Sequence, residues 1–529
     1  MNRWIIVVLL VGFPACVASR VSNAGGNGEG PEPAVAPESK PEIGEGTVLR
    51  GAKITLKETA LGTTEGLLHG TLILSPDFRR IVYYSERPNN KMVLVHDGKE
   101  GLQYDNFNKG RPVFSPDSQH LGHIAVSDGK AFVVMDDVEG KRYRDIAADS
   151  LVFSPDSRRY AYAAEVREGK RAVVTDAEEQ KQYDAVTAPF FSPDSTRLAY
   201  LAKSGGKWFL VVDSVEGKQQ YEDIDSMPLF SPDSKRVAFI AFSGGKYCLV
   251  VDGIEGKLYD VIKAETMTFS PDSSRIAYHA RAGGKSAVVV DDKEEKQYDD
   301  VGGITFSPDS RRFAYWGWNG GEKPVNVVVV DGVEGKPHES SGAPIFSPDS
   351  KHVTYVVQDG QKYAVVLDGV EGKQYDQIPE ISMSFSPDSQ RTAYIAESGN
   401  KWLVVADGGE GKSYDLVGTP VFSPDSKHVA YSASTKADGK MRVVLDGVEQ
   451  NVYAKIAEGA LGFSPDSRHM AYVAQAGGKY VIVADDAEAG DYTSYLFGHR
   501  MLKFDSPNSC HFIMLKNTEM FLVDLAITE

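Results

Sequence analysis

Residues 227–262 read MPLFSPDSKRVAFIAFSGGKYCLVVDGIEGKLYDVI, and this phrase recurs along almost the whole chain. The motif prolines are Pro76, Pro116, Pro155, Pro193, Pro232, Pro271, Pro308, Pro348, Pro387, Pro424, Pro465 and Pro507. The spacing runs from 37 residues (Pro271 to Pro308) to 42 (Pro465 to Pro507). Within the phrase, 227–230 is a short apolar strand, a. Ser231-Pro232-Asp233-Ser234 is a turn, because Pro presets φ and the Ser and Asp side chains bond nearby backbone N–H groups. Residues 236–242 alternate as strand b, and 247–251 are a continuous apolar run, strand c. Asp252-Gly253 closes a hairpin, and 259–262 is read as strand d. Four antiparallel strands per repeat of about forty residues predict an all-β chain, a β-propeller of twelve blades.

Five repeats place proline two residues before the motif phenylalanine: Pro112, Pro189, Pro228, Pro344 and Pro420. Proline cannot donate to a ladder, so strand a is expected at a sheet edge, innermost in the ring. The last repeat has three strands, near 501–504, 511–515 and 520–525. Residues 48–56 form an unpartnered strand ahead of the first motif. That strand is expected to supply the missing edge and close the ring, which removes edges that invite aggregation. Twelve blades exceed the usual four to eight. At a blade spacing near 10 Å, one ring has a mean radius of roughly 19 Å and a wide, wet tunnel. Two tandem six-blade rings are the alternative. Tight hairpins through the middle of the chain favour one ring. The seventh repeat alone is irregular, with Pro337-His338-Glu339-Ser340 in place of the Tyr-Asp strand, and Trp316 and Trp318 nearby.

Ahead of the repeats, residues 1–20 read as an export signal: Arg3, then a short apolar run, then small residues. The stretch Gly12-Phe13-Pro14-Ala15-Cys16 resembles a bacterial lipoprotein box, with Phe13 and Pro14 departing from it. Lipid attachment at Cys16 and simple cleavage both remain open. Residues 21–47 are rich in Gly, Pro and Glu and read as a disordered tether. The repeats occupy 48–529. The formal net charge of −17, from 57 basic and 74 acidic residues, argues against nucleic-acid binding. The three cysteines, Cys16, Cys248 and Cys510, give no disulfide or zinc spacing.

The Ser-Pro-Asp turn followed by an Ala-Tyr or Ala-Phe strand resembles the blades of TolB-type propellers, relatives of the WD-repeat class. It is also similar to the propeller of prolyl-oligopeptidase-type peptidases. The resemblance covers about residues 47–529 and implies the fold. Ser-Pro-Asp-Ser here replaces the family's common Ser-Pro-Asp-Gly. The helical N-terminal domain of TolB and the hydrolase domain of the peptidases have no counterpart.

Four residues after each motif proline stands a basic side chain: Arg80, His120, Arg159, Arg197, Arg236, Arg275, Arg312, His352, Arg391, His428, His469 and His511. Because every repeat carries it, this column is expected to support blades, through a bond to the motif Asp such as Asp117 or Asp233. His120 and His123 lie three apart on a strand and point to opposite faces, which argues against a metal pair. The many Asp-Gly pairs are hairpin turns, not calcium loops. No G-x-S-x-G, H-E-x-x-H or P-loop motif occurs. No cofactor and no metal are expected. The acids that vary between repeats precede strand a: Asp149, Asp225, Glu265, Glu380 and Glu458. They are expected to share a face with the variable b–c turns and to contact a partner there. Trp208, Trp316, Trp318 and Trp402 are expected to pack between blades. The chain is thus expected to be an exported, periplasmic or cell-surface scaffold for a protein or peptide of the cell envelope. Its only membrane contact would be a lipid on Cys16. An extracytoplasmic glycan lyase or hydrolase is the alternative.

Overall fold

The computed structural model describes residues 52–528 apart from 69, 89, 108–109 and 497–501. The leader, the tether and Cys16 lie outside the described residues. So does Met501, at the start of the predicted strand 501–504. The described chain forms twelve antiparallel sheets arranged as the blades of one ring, a twelve-bladed β-propeller.

Blade 5 shows why the phrase folds this way. Strand b, Val237–Ser243, is buried over its first five residues. Strand c, Lys246–Val251, pairs with it from Ser243↔Lys246 to Ala238↔Val251. The two-residue turn Asp252-Gly253 has φ of 54° and 78°, the positive pair a type I′ hairpin needs. Strand d follows as Ile254–Glu255. Strand a lies on the far edge of b in two pieces, Asp223–Ile224 and Leu229–Phe230, with Pro228 between them. The edge position suits the missing N–H.

The sequence reading of residues 259–262 as one strand d needs correction. Tyr259 exchanges both backbone hydrogen bonds with Tyr247 and belongs to blade 5. Val261 and Ile262 pair with Arg281 and Ala280, opening strand a of blade 6. Asp260 makes the division: its carboxylate accepts Lys246 of its own blade and the Gly283 N–H of the next, at 2.8 Å for the latter. A single residue therefore carries the chain from one blade to the next, and strand a begins earlier than its apolar core suggests.

The Ala-Tyr alternation builds the core between blades. Ala277 and Tyr278 on strand b of blade 6 are both fully buried and face opposite ways. Tyr278 packs with Ala238, Ile240 and Leu249 of blade 5, while Ala277 packs against Phe313 and Tyr315 of blade 7. The small residue lets one sheet approach while the tyrosine fills the space on the other side.

Ring closure follows the expected route. The first strand, Lys53–Thr63, pairs antiparallel with Glu519–Thr528, as in Leu56↔Leu525, and becomes the outermost strand of blade 12. It runs seven residues beyond the predicted end at 56, through Lys57-Glu58-Thr59. A bulge lies between Ala60 and Gly62, and a Cβ on Gly62 would stand 2.9 Å from the Gly98 Cα. Charge did not end the strand because an outer strand keeps one side in water. Blade 12 then packs on blade 1 through Leu61, Ile81, Tyr83, Ile513 and Leu522.

The middle of the chain shows no break. The motif Asp N–H of each blade donates to a Ser Oγ of the next at ten successive junctions, from Asp77→Ser118 to Asp425→Ser467. Asp272→Ser310, joining blades 6 and 7, is one of them at 2.9 Å. The irregular seventh repeat is absorbed too. His338 takes the place of the tyrosine, bridging Asn326 and bonding Asp359 at 2.8 Å.

Candidate functional site

The recurring polar residues are used up in holding blades together. The motif serine Ser231 donates to Asp233 at 2.7 Å and accepts the Arg236 N–H at 3.0 Å. The Ser231 hydroxyl, then the Lys235 N–H, hold the Asp233 carboxyl down at about 2. The fourth motif residue, Ser234, has φ of 66°, a left-handed conformation that favours glycine. Its hydroxyl accepts the Asp194 N–H of the preceding blade at 2.9 Å. This accounts for Ser-Pro-Asp-Ser in place of Ser-Pro-Asp-Gly: the strained serine supplies a bond that glycine cannot.

The basic column supports blades, but through a different acid from the one expected. Arg236 pairs with Asp252 of the Asp-Gly turn at 3.1 Å, not with Asp233. His120 likewise pairs with Asp136 at 2.8 Å, not with Asp117. The motif Asp is already bound by its own serine and turn N–H groups. The turn Asp, by contrast, projects from the c–d hairpin toward the start of strand b, where its second oxygen caps the Val237 N–H. The Arg236 guanidinium also reaches blade 6, lying 5.4 Å from the centre of the Phe269 ring and donating to the Ser273 and Ser274 carbonyls. All seven arginines of the column sit over the motif phenylalanine of the next blade.

The Glu-Gly-Lys-x-Tyr stretch is a third fastener. In blade 7, Glu334 accepts Lys296 at 2.7 Å and the Tyr298 hydroxyl at 2.6 Å, both from blade 6. Lys296 lies 5.6 Å over the Tyr298 ring. The closing strand imitates this, with Glu58 accepting Tyr492 at 2.7 Å and Lys516 at 2.8 Å.

What remains is the inner wall. Strand a, the sheet edge opposite strand d, leaves the ladder between its two pieces and bulges there. A hydroxyl within the bulge replaces the lost backbone partner: Ser226 accepts the Ile240 N–H at 2.8 Å, Thr266 the His279 N–H at 2.9 Å, and Ser382 the Ile395 N–H at 3.1 Å. The five candidate acids occupy these bulges. They stand part-way along the innermost strand, not on the face of the b–c turns as expected, because strand a starts opposite the end of b that carries those turns. Asp149, Asp225, Glu265, Glu380 and Glu458 are all exposed. The Asp149 Oδ1 accepts the Arg111 N–H at 3.2 Å from the neighbouring bulge. The acids belong to blades 3, 5, 6, 9 and 11, so the ring spreads them out and only Asp225 and Glu265 lie on adjacent blades.

His120 and His123 have different surroundings. His120 bonds Asp136. His123 is buried against Phe107, and burial, with His96 adding to it, pushes its imidazole down to about 3. Among the tryptophans, Trp402 and Trp316 pack into inter-blade clusters, while Trp208 lies under Lys203 and Trp318 against Gly320.

Two features escaped the sequence reading. At the junction of blades 6 and 7, Lys263 bonds Asp300 at 3.1 Å, with the buried His279 3.7 Å from the same oxygen. Burial, and then Lys263, hold the His279 imidazole down at about 4. The wall also carries exposed apolar side chains, Met227, Ile345 and Ile381. The signal for Ile381 was Pro379, the one proline that directly precedes a bulge acid.

No protein-family profile matches the chain, and no curated sequence does. Solved structures do. TolB from Acinetobacter baumannii is 20% identical, with 41% of this chain and 62% of that one covered and a TM-score of 0.22. The β-propeller domain of the Trilobed protease from Pyrococcus furiosus is 15% identical, covering 52% and 95%, with a TM-score of 0.23. An oligogalacturonate lyase in complex with manganese is 11% identical, covering 65% and 96%, with a TM-score of 0.24. The chain spans less than two thirds of that TolB.

Proposed function

We propose that the protein is a non-enzymatic scaffold of the bacterial cell envelope, exported by its leader, that binds a protein or peptide on the inner wall of its ring. One observation carries the reading. The recurring polar groups are engaged within their own blade or with the next one, and the exposed acids left over are dispersed on different blades. A catalytic site needs unlike groups converging on one place. A broad wall of separated groups on a rigid ring suits a large partner. The test is Asp225→Asn, Glu265→Gln and Glu380→Gln combined in the full chain, with partner recovery and thermal stability both measured. Lost recovery with an unchanged melt supports the scaffold.

The extracytoplasmic glycan lyase or hydrolase has the Lys263–His279–Asp300 cluster in its favour. His279 is 1% exposed beneath an ion pair, so a substrate would first have to displace Lys263 from Asp300. Turnover of a purified glycan, abolished by His279→Ala, would replace the scaffold reading with this one.

A further inference from the structure

We infer that the scaffold's principal contact is a projection on the inner wall of blade 9, and that its partner is a protein with an apolar socket bordered by lysine or arginine. This rests on the scaffold reading above. Glu380–Ser382 is a single 3-10 turn, the only helical element among the described residues. Pro379 opens it, with φ of −66°. Ser382, itself 1% exposed, fixes the turn from below: its hydroxyl donates to the Pro379 carbonyl at 2.7 Å and accepts the Ile395 N–H at 3.1 Å. Ile381 stands at the tip, 93% exposed. An isoleucine held out in water by an anchored turn gains nothing for this chain alone. Its burial by a partner is among the larger gains an interface collects.

The charge beside it selects the partner. The Glu380 side chain lies over Gly342 of blade 8, where a Cβ would come within 2.7 Å of its Cδ. That glycine leaves room for the carboxylate to rest beside the tip. Among the described residues Glu380 has no ion-pair partner, and Ile345, 39% exposed, extends the apolar surface onto blade 8. The other exposed wall acids and the net charge of −17 repel an acidic partner and favour a cationic one. A projection, unlike a pocket, calls for a socket in the partner, which argues against a small molecule.

The experiment places photoreactive p-benzoylphenylalanine at position 381 of the full chain, with parallel chains carrying it at 227 on the wall of blade 5 and at 254 on the outer strand of blade 5. Irradiation is done in the source cells. A protein adduct at 381 and none at 254 is expected. With the captured protein purified, Ile381→Asp and Glu380→Lys each raise Kd by about tenfold or more, and added salt weakens wild-type binding. Both variants melt with the wild type. An adduct at 227 but not at 381 leaves the scaffold reading standing and overturns this inference. No protein adduct at either wall position overturns both. A second copy of this chain in the adduct, or a partner whose affinity ignores Glu380→Lys, overturns the cationic socket.

Discussion

The junctions between blades and the inner wall obey opposite rules. At the junctions, the same side chains recur at the same distances. The Asp N–H to Ser Oγ bond holds between 2.8 and 3.0 Å from Asp77→Ser118 to Asp425→Ser467. On the wall, each bulge has its own length and chemistry: Asp149 with positive φ, Thr266 beneath Glu265, a 3-10 turn at Glu380. Repetition marks what each blade needs from its neighbour, and variety marks what the ring can spare for a ligand. The seam between blades 12 and 1 obeys the first rule by other means. There Phe78 replaces the turn serine, and Arg79 binds Asp505 and Asp524 at 2.7 and 2.9 Å while His511 reaches the Asp77 carbonyl.

The largest disturbance is expected at the seam. Deleting residues 53–63 exposes the apolar surface that Ile54, Leu56 and Leu61 cover and the edge of Glu519–Thr528, a loss of at least about 5 kcal/mol at usual values for apolar burial. Thermal melting should show a broad, early transition. A melt like that of the full chain would mean that closure contributes little. Within a junction, Arg236→Ala removes an ion pair, a ring contact and two carbonyl bonds. Partial exposure discounts the pair, and about 1–2 kcal/mol is expected by urea denaturation.

Acid and alkali should probe the junctions too. Asp194, Asp233 and Asp272 are held at about 2 by their motif serines, below the unfolded carboxyl range. Their contribution is present above about pH 4 and is lost as pH falls from there toward 2. Burial pushes Tyr200, Tyr431 and Tyr453 up to about 12. Their contribution is present below about pH 10 and is lost as pH rises toward 12. The melting temperature should therefore be flat through neutrality and fall at both ends. A fall confined to pH 6–8 would contradict this assignment. The smallest effect separates two substitutions at one strained position. Ser234→Ala loses the inter-blade bond and keeps the strain, for about 1 kcal/mol. Ser234→Gly loses the bond and relieves the strain, and should be close to neutral. Strong stabilisation by glycine would show that the bond contributes nothing.

The fold was legible because packing between blades imposes one pattern on every repeat. The proline positions, the Ala-Tyr alternation and the unpartnered first strand each reported a local constraint. The partner of Arg236 was not legible. Asp233 and Asp252 are equally available in sequence, and only the c–d hairpin brings Asp252 across strand c to the start of strand b. The division at Asp260 was hidden for the same reason, since Tyr259 and Val261 are both good strand residues. The candidate acids were recognisable by their variation, but their level on the wall depends on where strand a begins. Ile381 passed unnoticed because its only mark was Pro379, which lifts the chain into a 3-10 turn where an apolar run suggested strand a.

Two sets of substitutions, compared in one protein, test the division of labour most directly. One set is Ser234→Ala with Ser273→Ala at the junctions. The other is Asp225→Asn, Glu265→Gln and Glu380→Gln on the wall. Melting temperature and affinity for the protein captured at position 381 are measured for both. The junction set should lower the melting temperature and leave affinity unchanged well below the melt. The wall set should leave the melting temperature unchanged and weaken affinity about tenfold or more. Affinity lost from the junction set while folded, or stability lost from the wall set, would contradict the account.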